Sequence, residues 1–547
     1  MRRRFVGRSF RRDIPRAANS RALAPEVRAL LLFLLSLVLA SPSALAGPAP
    51  KKPKVRPDVA KFHARADALL SADKPAKGHW GVLVVDAATG ETLYAHDPEK
   101  YFTPASNTKL YSTISALALL GPDFRWKTTL ESRGKLDKHG RLLGDVVLVG
   151  RGDPNLSNRK FPFDTKVERD GPPEKILAAL ADQLVARGIQ QVEGDIVADD
   201  SYFPAERYAT GWDIDDMTFG YGAPVSALTV NDNTLVIELR PADREGEPAW
   251  FGVEPWAEFY EFVNEVRTAA AGARTEVSAG REPGSRRVVL RGSLPLGAEP
   301  RHITLAVEEP AEFAAALLKR ILESRGVRIY GHARAKHESH AEPKDALNTN
   351  PESPAILAEH ISVSLLDAVR LVNKISQNLH AELLLRAIGR EKGTAGSTTA
   401  SLKVLQDFLK SVGVPEGDVA TFDGSGLSRR NLITPRATVA LLIWAAKQPW
   451  AEPFIASLPV SAQDGTLAER MKNSSAAGHI HAKTGTLGNV AALSGFAETL
   501  HGTRVVFSMF GNAHNLHGTD ATSVLDGLCI TLVEEIGAPL PSKKKKR

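Results

Sequence analysis

The chain has 547 residues and is 43% hydrophobic, so its length and composition suit about three packed domains and exclude an intrinsically disordered protein. The formal net charge of +6 does not indicate a nucleic-acid partner, because the basic excess lies at the chain ends: residues 1–46 contain nine basic and two acidic residues, and residues 543–547 are all basic. The body between these ends is mildly acidic, and its single cysteine, Cys529, excludes an intrachain disulfide.

The first 46 residues are predicted to form a secretory signal peptide. Nine arginines precede the apolar run 29–40, and Ala44-Leu45-Ala46 provides a small-residue cleavage site. The apolar run is short for a membrane span, and an uncleaved anchor is the alternative. We therefore expect an exported, periplasmic protein, membrane-associated if the anchor is retained. The basic tail 543–547 offers a peripheral contact to an anionic membrane or wall polymer, or else is a solvated chain end.

The first predicted elements of the folded body are an amphipathic helix at 59–70, a hairpin and a second helix. Residues 79–86 and 91–95 have strand-like composition on either side of a turn, and a helix begins near Ser106 and ends at Gly121-Pro122. From about residue 125 to residue 340 the pattern changes to short strands and many turns. This span is predicted to be two small inserted domains.

The second half returns to longer elements. The predicted helices are 364–388, 397–412 and 521–536. The predicted strands are 480–487, 490–497 and 504–510. Together with the front hairpin and helix they predict an α+β fold, in which one antiparallel sheet is assembled from both chain ends and covered by helices. The main domain would comprise residues 47–124 and 341–542, and the two insertions residues 125–340.

A serine and a lysine three positions apart open the predicted helix at Ser106. Residues i and i+3 lie on one helix face, so Ser106 Oγ and Lys109 Nζ can meet. The S-x-x-K pattern alone is weak, because it also occurs at Ser71, Ser157 and Ser542. Only the copy at Ser106 begins an amphipathic helix.

Two further motifs follow downstream in a fixed order. Ser376-Gln377-Asn378 lies in the helical region, and Lys483-Thr484-Gly485-Thr486 lies in a predicted strand. S-x-x-K, S-D-N and K-T-G in this order are the signature of penicillin-binding proteins and β-lactamases, and here the middle residue of the second motif is Gln377. A capping serine, a strand lysine and a turn glycine do not explain why all three motifs occur together.

The chemistry of acyl transfer explains why these residue types are needed. A serine hydroxyl is a poor nucleophile at neutral pH, so Lys109, held unprotonated, would accept the proton of Ser106. Ser376 and Lys483 would carry a proton to the leaving amine, and Lys483 is expected to lower the pKa of Lys109 by like-charge repulsion.

The remaining motif positions suit substrate binding. Asn378 can hold a substrate amide through its carboxamide, and Gly485 lets a peptide lie close to the strand backbone. The backbone N–H groups of Ser106 and Thr486 would form an oxyanion hole. The hydroxyls of Thr484 and Thr486 suit a substrate carboxylate.

The sequence resembles the D-alanyl-D-alanine carboxypeptidase/endopeptidases related to penicillin-binding protein 4, the low-molecular-mass class C group. The resemblance extends beyond the three motifs to other segments, which are 152–156, 216–218, 221–224, 423–429, 458–460 and 464–467. That family has a transpeptidase-like catalytic domain split by two inserted domains between the first and second motifs. The long gap from Ser106 to Ser376 is similar.

The resemblance implies a penicillin-sensitive hydrolase that forms an acyl-enzyme on Ser106 and needs no cofactor or metal. Its partners would be peptidoglycan stem peptides, with β-lactam antibiotics as inhibitors. It would release terminal D-Ala and cleave cross-links from D-Ala to diaminopimelate. By their match to the family pattern, Asp216 and Tyr221 would bind the ammonium end of diaminopimelate, and Arg429 would reach its carboxylate.

Two alternatives stay open at this point. A serine β-lactamase or esterase of the same superfamily would use the same residues for acylation, although no E-x-x-L-N motif lies between the second and third motifs to activate the deacylating water. A catalytically inactive wall-binding protein is the second alternative, and retention of all three motifs argues against it.

Overall fold

A computed structural model describes residues 56–161, 163–164, 167–338, 353–516 and 520–538. The predicted signal peptide at 1–46 and the basic tail at 543–547 lie outside the described residues. Among the helices that are described, none is both long enough and apolar enough to cross a membrane.

The described chain contains both helices and strands in quantity. The α-helices are α1 Pro57–Leu70, α2 Thr108–Leu120, α3 Lys175–Ala186, α4 Pro310–Ser324, α5 Leu365–Ile375, α6 Asn378–Lys392, α7 Thr398–Ser411, α8 Pro435–Ala445, α9 Ala451–Ser457 and α10 Asp520–Glu535. The strands are β1 His79–Asp86, β2 Thr92–His96, β3 Lys127–Ser132, β4 Lys135–Leu136, β5 Arg141–Leu143, β6 Val146–Val149, β7 Gln191–Val192, β8 Ile196–Pro204, β9 Thr234–Arg240, β10 Trp250–Glu254, β11 Glu261–Asn264, β12 Arg267–Ala269, β13 Glu276–Gly280, β14 Arg287–Pro295, β15 Arg301–Ala306, β16 Arg328–Ile329, β17 Ala333–Glu338, β18 Ala355–Ile361, β19 Val419–Ala420, β20 Leu432–Ile433, β21 Ile480–Leu487, β22 Val490–Glu498 and β23 Arg504–Asn512.

A five-stranded antiparallel sheet joins the two ends of the chain. Its strand order is β2-β1-β23-β22-β21, and β1 pairs with β23 in a register that places Val82 opposite Met509. The three inner strands, β1, β23 and β22, are buried along nearly their whole length because helices cover both faces. β21 lies at the sheet edge, so one side of its backbone is left for other partners.

Each face of this sheet has its own hydrophobic core. On one face α1 and α10 pack against the strands through residues such as Phe62, Leu525 and Phe507. On the other face α2, α6 and α8 form a second core that includes Ile114 and Leu384. The predicted α+β class, an antiparallel sheet covered by helices, is confirmed.

The chain between α2 and α5 forms separate sheets. The largest has the order β17-β8-β6-β3-β18, and a continuous cluster of buried apolar residues runs from Leu130 through Leu290 and Leu317 to Ala358. β18 lies beyond residue 340, where the sequence suggested that the insertion ends, yet it pairs with β3. The sheets of the insertion therefore extend to Ile361.

The helical pattern at 364–388 is interrupted in the structure. α5 begins after Ser364, whose Oγ accepts a hydrogen bond from the N–H of Asp367 at 3.2 Å. It ends at Ser376, which has the left-handed backbone conformation φ 61°, ψ 37°, and α6 begins at Asn378. The break places the second motif between two helices instead of inside one.

Candidate active site

The first motif forms a tight turn at the start of α2. Ser106 lies in a 3₁₀ turn, Ala105–Asn107, that runs directly into the helix. Gly426 packs on this turn with φ +85°, and a Cβ there would lie 1.8 Å from the carbonyl oxygen of Ala105. Only glycine fits this contact, so the loop around residue 426 can hold the turn that carries Ser106.

Lys109 is fully buried and contacts Ser106 directly. Its Nζ lies 2.7 Å from Ser106 Oγ, 2.6 Å from Asn378 Oδ1 and 2.7 Å from the carbonyl oxygen of Ser425. The amide and carbonyl oxygens can only accept hydrogen bonds, whereas the hydroxyl can also donate one. A neutral amine would donate its two hydrogens to those oxygens and direct its lone pair at the hydroxyl of Ser106. This is the arrangement of a nucleophile and its base.

Burial explains how Lys109 can be neutral near physiological pH. It lowers the pKa of Lys109 to about 7, against the opposing attraction of Asp423 and Glu382. Burial, together with repulsion from Lys109, also holds the pKa of Lys483 well below its ordinary value. The sequence suggested that Lys483 would lower the pKa of Lys109. In the structure burial is the main cause for both amines, and the mutual repulsion of the two lysines adds to it.

The second and third motifs contact each other beside Ser106 and Lys109. Lys483 Nζ donates to Ser376 Oγ at 2.9 Å and to the carbonyl oxygen of Thr484 at 2.9 Å. Asn107 Nδ2 donates to the carbonyl oxygen of Lys483 at 3.0 Å and so joins β21 to the turn that carries the nucleophile. The left-handed conformation of Ser376 costs about 1 kcal/mol or more, and it is held where the side chain meets Lys483.

Asn378 connects the pair of Ser106 and Lys109 to the inserted part of the chain. Its Oδ1 accepts from Lys109, and its Nδ2 donates to the carbonyl oxygen of Tyr221 at 2.8 Å. Both ends of the carboxamide are therefore engaged. This fixes its orientation beside Ser106.

The edge strand β21 forms one wall of a cavity of about 350 Å³ that contains the nucleophile. A Cβ on Gly485 would lie 2.7 Å from the carbonyl oxygen of Pro104 and 3.1 Å from the backbone nitrogen of Ser106, so only glycine allows the strand to approach this closely. The cavity is lined by Ser106, Ser376, Thr466, Arg470, Thr484, Gly485, Thr486 and Thr522. An extended peptide can bind along this edge through backbone hydrogen bonds.

The three remaining predicted residues cluster together. Arg429 Nη1 lies 2.6 Å from Asp216 Oδ2, and its Nε lies 2.7 Å from Asp213 Oδ2. The hydroxyl of Tyr221 donates to Asp216 Oδ1 at 3.1 Å. Asp216 is buried and Tyr221 is exposed, so the cluster has an open side. Through the backbone of Tyr221 it adjoins Asn378.

The three sequence motifs do not include the buried residues that hold the loop in contact with Lys109. The buried carboxylate of Glu382 accepts hydrogen bonds from the backbone N–H groups of Gly424, at 3.0 Å, and Ser425, at 2.8 Å. Burial and the neighbouring Asp423 raise the pKa of Glu382. Glu382 follows Asn378 by four positions and thus shares its helix face, a spacing that the sequence does display.

No group of three or more His, Cys, Asp or Glu side chains in the described ranges is arranged to hold a metal ion. The polar side chains that surround Ser106 are hydroxyls, amines, one carboxamide and the guanidinium of Arg470. These groups can transfer protons and form hydrogen bonds with a substrate.

The family model and the curated relatives that match this chain are D-Ala-D-Ala carboxypeptidases. The model of the D-Ala-D-Ala carboxypeptidase 3 (S13) family matches residues 64–532. The D-alanyl-D-alanine carboxypeptidase of Actinomadura sp. (strain R39) is 34% identical over 541 residues, which cover 96% of this chain and 94% of that protein. The D-alanyl-D-alanine carboxypeptidase DacB of Haemophilus influenzae is 25% identical over 456 residues, which cover 82% and 88%.

The fold is also shared with a solved structure. The crystal structure of penicillin binding protein 4 (dacB) from Haemophilus influenzae superposes with a TM-score of 0.72 at 24% identity, and the match covers 87% of this chain and 99% of that chain. The similarity confirms the fold predicted from the sequence.

Proposed function

The chain belongs to the D-Ala-D-Ala carboxypeptidase 3 (S13) family, and from this premise we propose that it is a serine peptidase that releases terminal D-Ala from peptidoglycan stem peptides through an acyl-enzyme on Ser106. The observation that supports this function most strongly is the 2.7 Å contact between Ser106 Oγ and the buried amine of Lys109. An adjacent neutral base is what a serine hydroxyl needs to attack an amide.

The geometry supports a two-step reaction. Neutral Lys109 takes the proton of Ser106 as Oγ attacks the carbonyl carbon of the penultimate D-Ala. The proton of the Ser376 hydroxyl passes to the leaving nitrogen as the C–N bond breaks, and Lys483 returns a proton to Ser376 across their 2.9 Å contact. The proton gained by Lys109 then replaces the one lost by Lys483, so that Lys109 is neutral again. Water attacks the ester carbonyl and gives a proton to Lys109. That proton passes to Oγ as the ester C–O bond breaks, which releases the acid and restores Ser106.

The cluster of Asp216, Tyr221 and Arg429 supports binding of the diaminopimelate side chain in the stem peptide that becomes acylated onto Ser106. The free ammonium of this diaminopimelate would compete with Arg429 for Asp216, and the guanidinium, which also contacts Asp213, would pair with the carboxylate on the same carbon. The exchange of one ion pair for two would favour a substrate that carries both charges. Cleavage of a cross-link from D-Ala to diaminopimelate is part of the proposal too, because a cross-link contains the same acyl-side stem peptide.

The cellular setting follows from the same proposal. The enzyme would be exported under the direction of residues 1–46 and would act in the periplasm. β-Lactam antibiotics would inhibit it by acylating Ser106, because they present a reactive amide and a carboxylate to the same cavity.

The experiment that tests this function identifies the residue to which benzylpenicillin becomes covalently attached. Purified protein is incubated with benzylpenicillin, digested with trypsin and analysed by mass spectrometry. The penicilloyl group is expected on the peptide 101–109, between Lys100 and Lys109, with fragment ions that place it on Ser106. In parallel, a stem pentapeptide should lose D-Ala and a cross-linked muropeptide should be cleaved.

Each alternative predicts a different outcome. Absence of an adduct on peptide 101–109 would exclude the acyl-enzyme. A stable adduct without release of D-Ala would indicate a wall-binding protein that only responds to penicillin. Rapid loss of the adduct without peptide cleavage would indicate a β-lactamase.

The pKa of Lys109 predicts the pH dependence. Only the neutral amine can accept a proton, so kcat/KM for D-Ala release should fall about tenfold per pH unit below pH 7 and level off above it. The measurement is a pH–rate profile on the pentapeptide from pH 5 to pH 8, with circular dichroism as a check on folding. A flat profile over this range would contradict the role of Lys109 as base.

A further inference from the structure

A cationic side chain forms part of the wall of the cavity that contains Ser106, and none of the three motifs includes it. Arg470 lines this cavity together with Thr484 and Thr486. It follows the short 3₁₀ turn Gly465–Leu467, whose Thr466 hydroxyl contacts the hydroxyl of Thr484 at 2.7 Å. Arg470 thus belongs to the side of the cavity formed by the threonine hydroxyls.

The guanidinium of Arg470 is held in a fixed orientation by α10. Its Nη2 lies 2.6 Å and its Nε 3.0 Å from Asp526 Oδ1, and the side chain is only 16% exposed. Nη1 makes no hydrogen bond to any residue that the structure describes, so its two N–H groups remain for a ligand. Asp526 does not line the cavity, and the cavity therefore meets the cationic side of this ion pair.

The other cations near Ser106 are poorly suited to neutralise an anion. Burial lowers the pKa of Lys109 to about 7, so its positive charge is weakened near neutral pH, and Lys483 Nζ is already engaged with Ser376 Oγ and the carbonyl oxygen of Thr484. The threonine hydroxyls donate hydrogen bonds but carry no charge. An arginine side chain stays charged and presents paired donors that match a carboxylate.

We propose that Arg470 is a specificity-determining residue that binds the free α-carboxylate of the D-amino acid on the leaving side of the scissile bond, together with Thr484 and Thr486. This inference rests on the proposed function, since both the terminal D-Ala and the diaminopimelate of a cross-link carry this carboxylate. Arg470 would thereby direct the enzyme to bonds followed by a free acid and reject amidated or ester leaving groups.

The alternative is a purely structural ion pair that fastens the loop after residue 465 to α10. A double variant, Arg470→Gln with Asp526→Asn, removes the cation without leaving an unpaired carboxylate. The measured quantity is the ratio of kcat/KM for an acyl-D-Ala-D-Ala peptide to that for its C-terminal amide. We expect the double variant to lose roughly 10- to 100-fold on the free acid and less than about threefold on the amide.

Two further variants distinguish a loss of carboxylate binding from a structural effect of the substitutions. Arg470→Lys retains the charge and the pairing with Asp526 but loses the paired donors, so it should fold even if the double variant does not, and should lower the ratio by several-fold. Lys472→Gln is the matched control, because it removes a cation from the same loop that does not line the cavity. Equal losses on both substrates, or an unchanged ratio in the Arg470 variants, would overturn the proposal. Failure of the parent protein to cleave either peptide would instead contradict the proposed function.

Discussion

Replacing Ser106 with alanine is expected to abolish D-Ala release, lowering kcat by on the order of 10⁶-fold, as for a serine nucleophile that acts as a unit with its base. The hydroxyl is the only group of this residue that can form the ester, and the removed oxygen leaves the turn Ala105–Asn107 otherwise intact. The measurement combines D-Ala release with labelling by fluorescent penicillin, and both should vanish in the variant.

Ser71→Ala is the matched control for this result. Ser71 also begins an S-x-x-K sequence, but it is exposed at the end of α1 and lies outside the cavity. Its replacement should leave both labelling and turnover unchanged. Persistent labelling of the Ser106→Ala protein would show that another residue carries the acyl group.

Replacing Lys109 with methionine should lower kcat/KM and the rate of penicillin acylation by about 10²- to 10⁴-fold. Methionine fills a similar volume without an amine, so Ser106 keeps its hydroxyl but loses the base that lies 2.7 Å away. The residual activity should also lose the acidic limb near pH 7, because the titrating group is gone. Stopped-flow acylation at several pH values measures both effects.

The interpretation of this variant depends on an intact fold. Asn378 Oδ1 and the carbonyl oxygen of Ser425 each lose a donor, so thermal unfolding must be compared with the parent protein. Lys100→Met removes an exposed lysine near the same turn and should alter neither rate nor stability. Acylation of the Lys109→Met protein at the parent rate would assign the base to another group.

The sequence predicted the main sheet well because local and global signals agree there. The hairpin at 79–96 and the three C-terminal strands have strand-like composition bounded by turn residues, and their observed limits differ from the predicted ones by a few residues at most. The helix at Ser106 has both a start signal and an apolar face. The three motifs are short and local, so they could be located without the structure.

The geometry of the site depends on contacts that no local pattern records. No helix-breaking residue type stands at position 376, yet the helix ends there. The hydroxyl of Ser376 contacts Lys483, which lies more than a hundred residues away in the sequence. The hydrogen bond from Ser425 to Glu382 and the pairing of Arg470 with Asp526 likewise join segments 43 and 56 residues apart. Tertiary packing decides such positions, and propensity is only a weak guide to them.

The pairing of β1 with β23 determines when the enzyme can first become active. β1 lies near the start of the folded body and β23 near its end, so the main sheet cannot close during synthesis until residue 512 has been made. The insertion from β3 to β18 has its own hydrophobic core and can fold earlier. Ser106 can therefore meet Lys483 only after the long intervening segment has been made. Assembly that depends on such distant contacts is slow, and the nascent chain stays without hydrolytic activity until its last strands are in place.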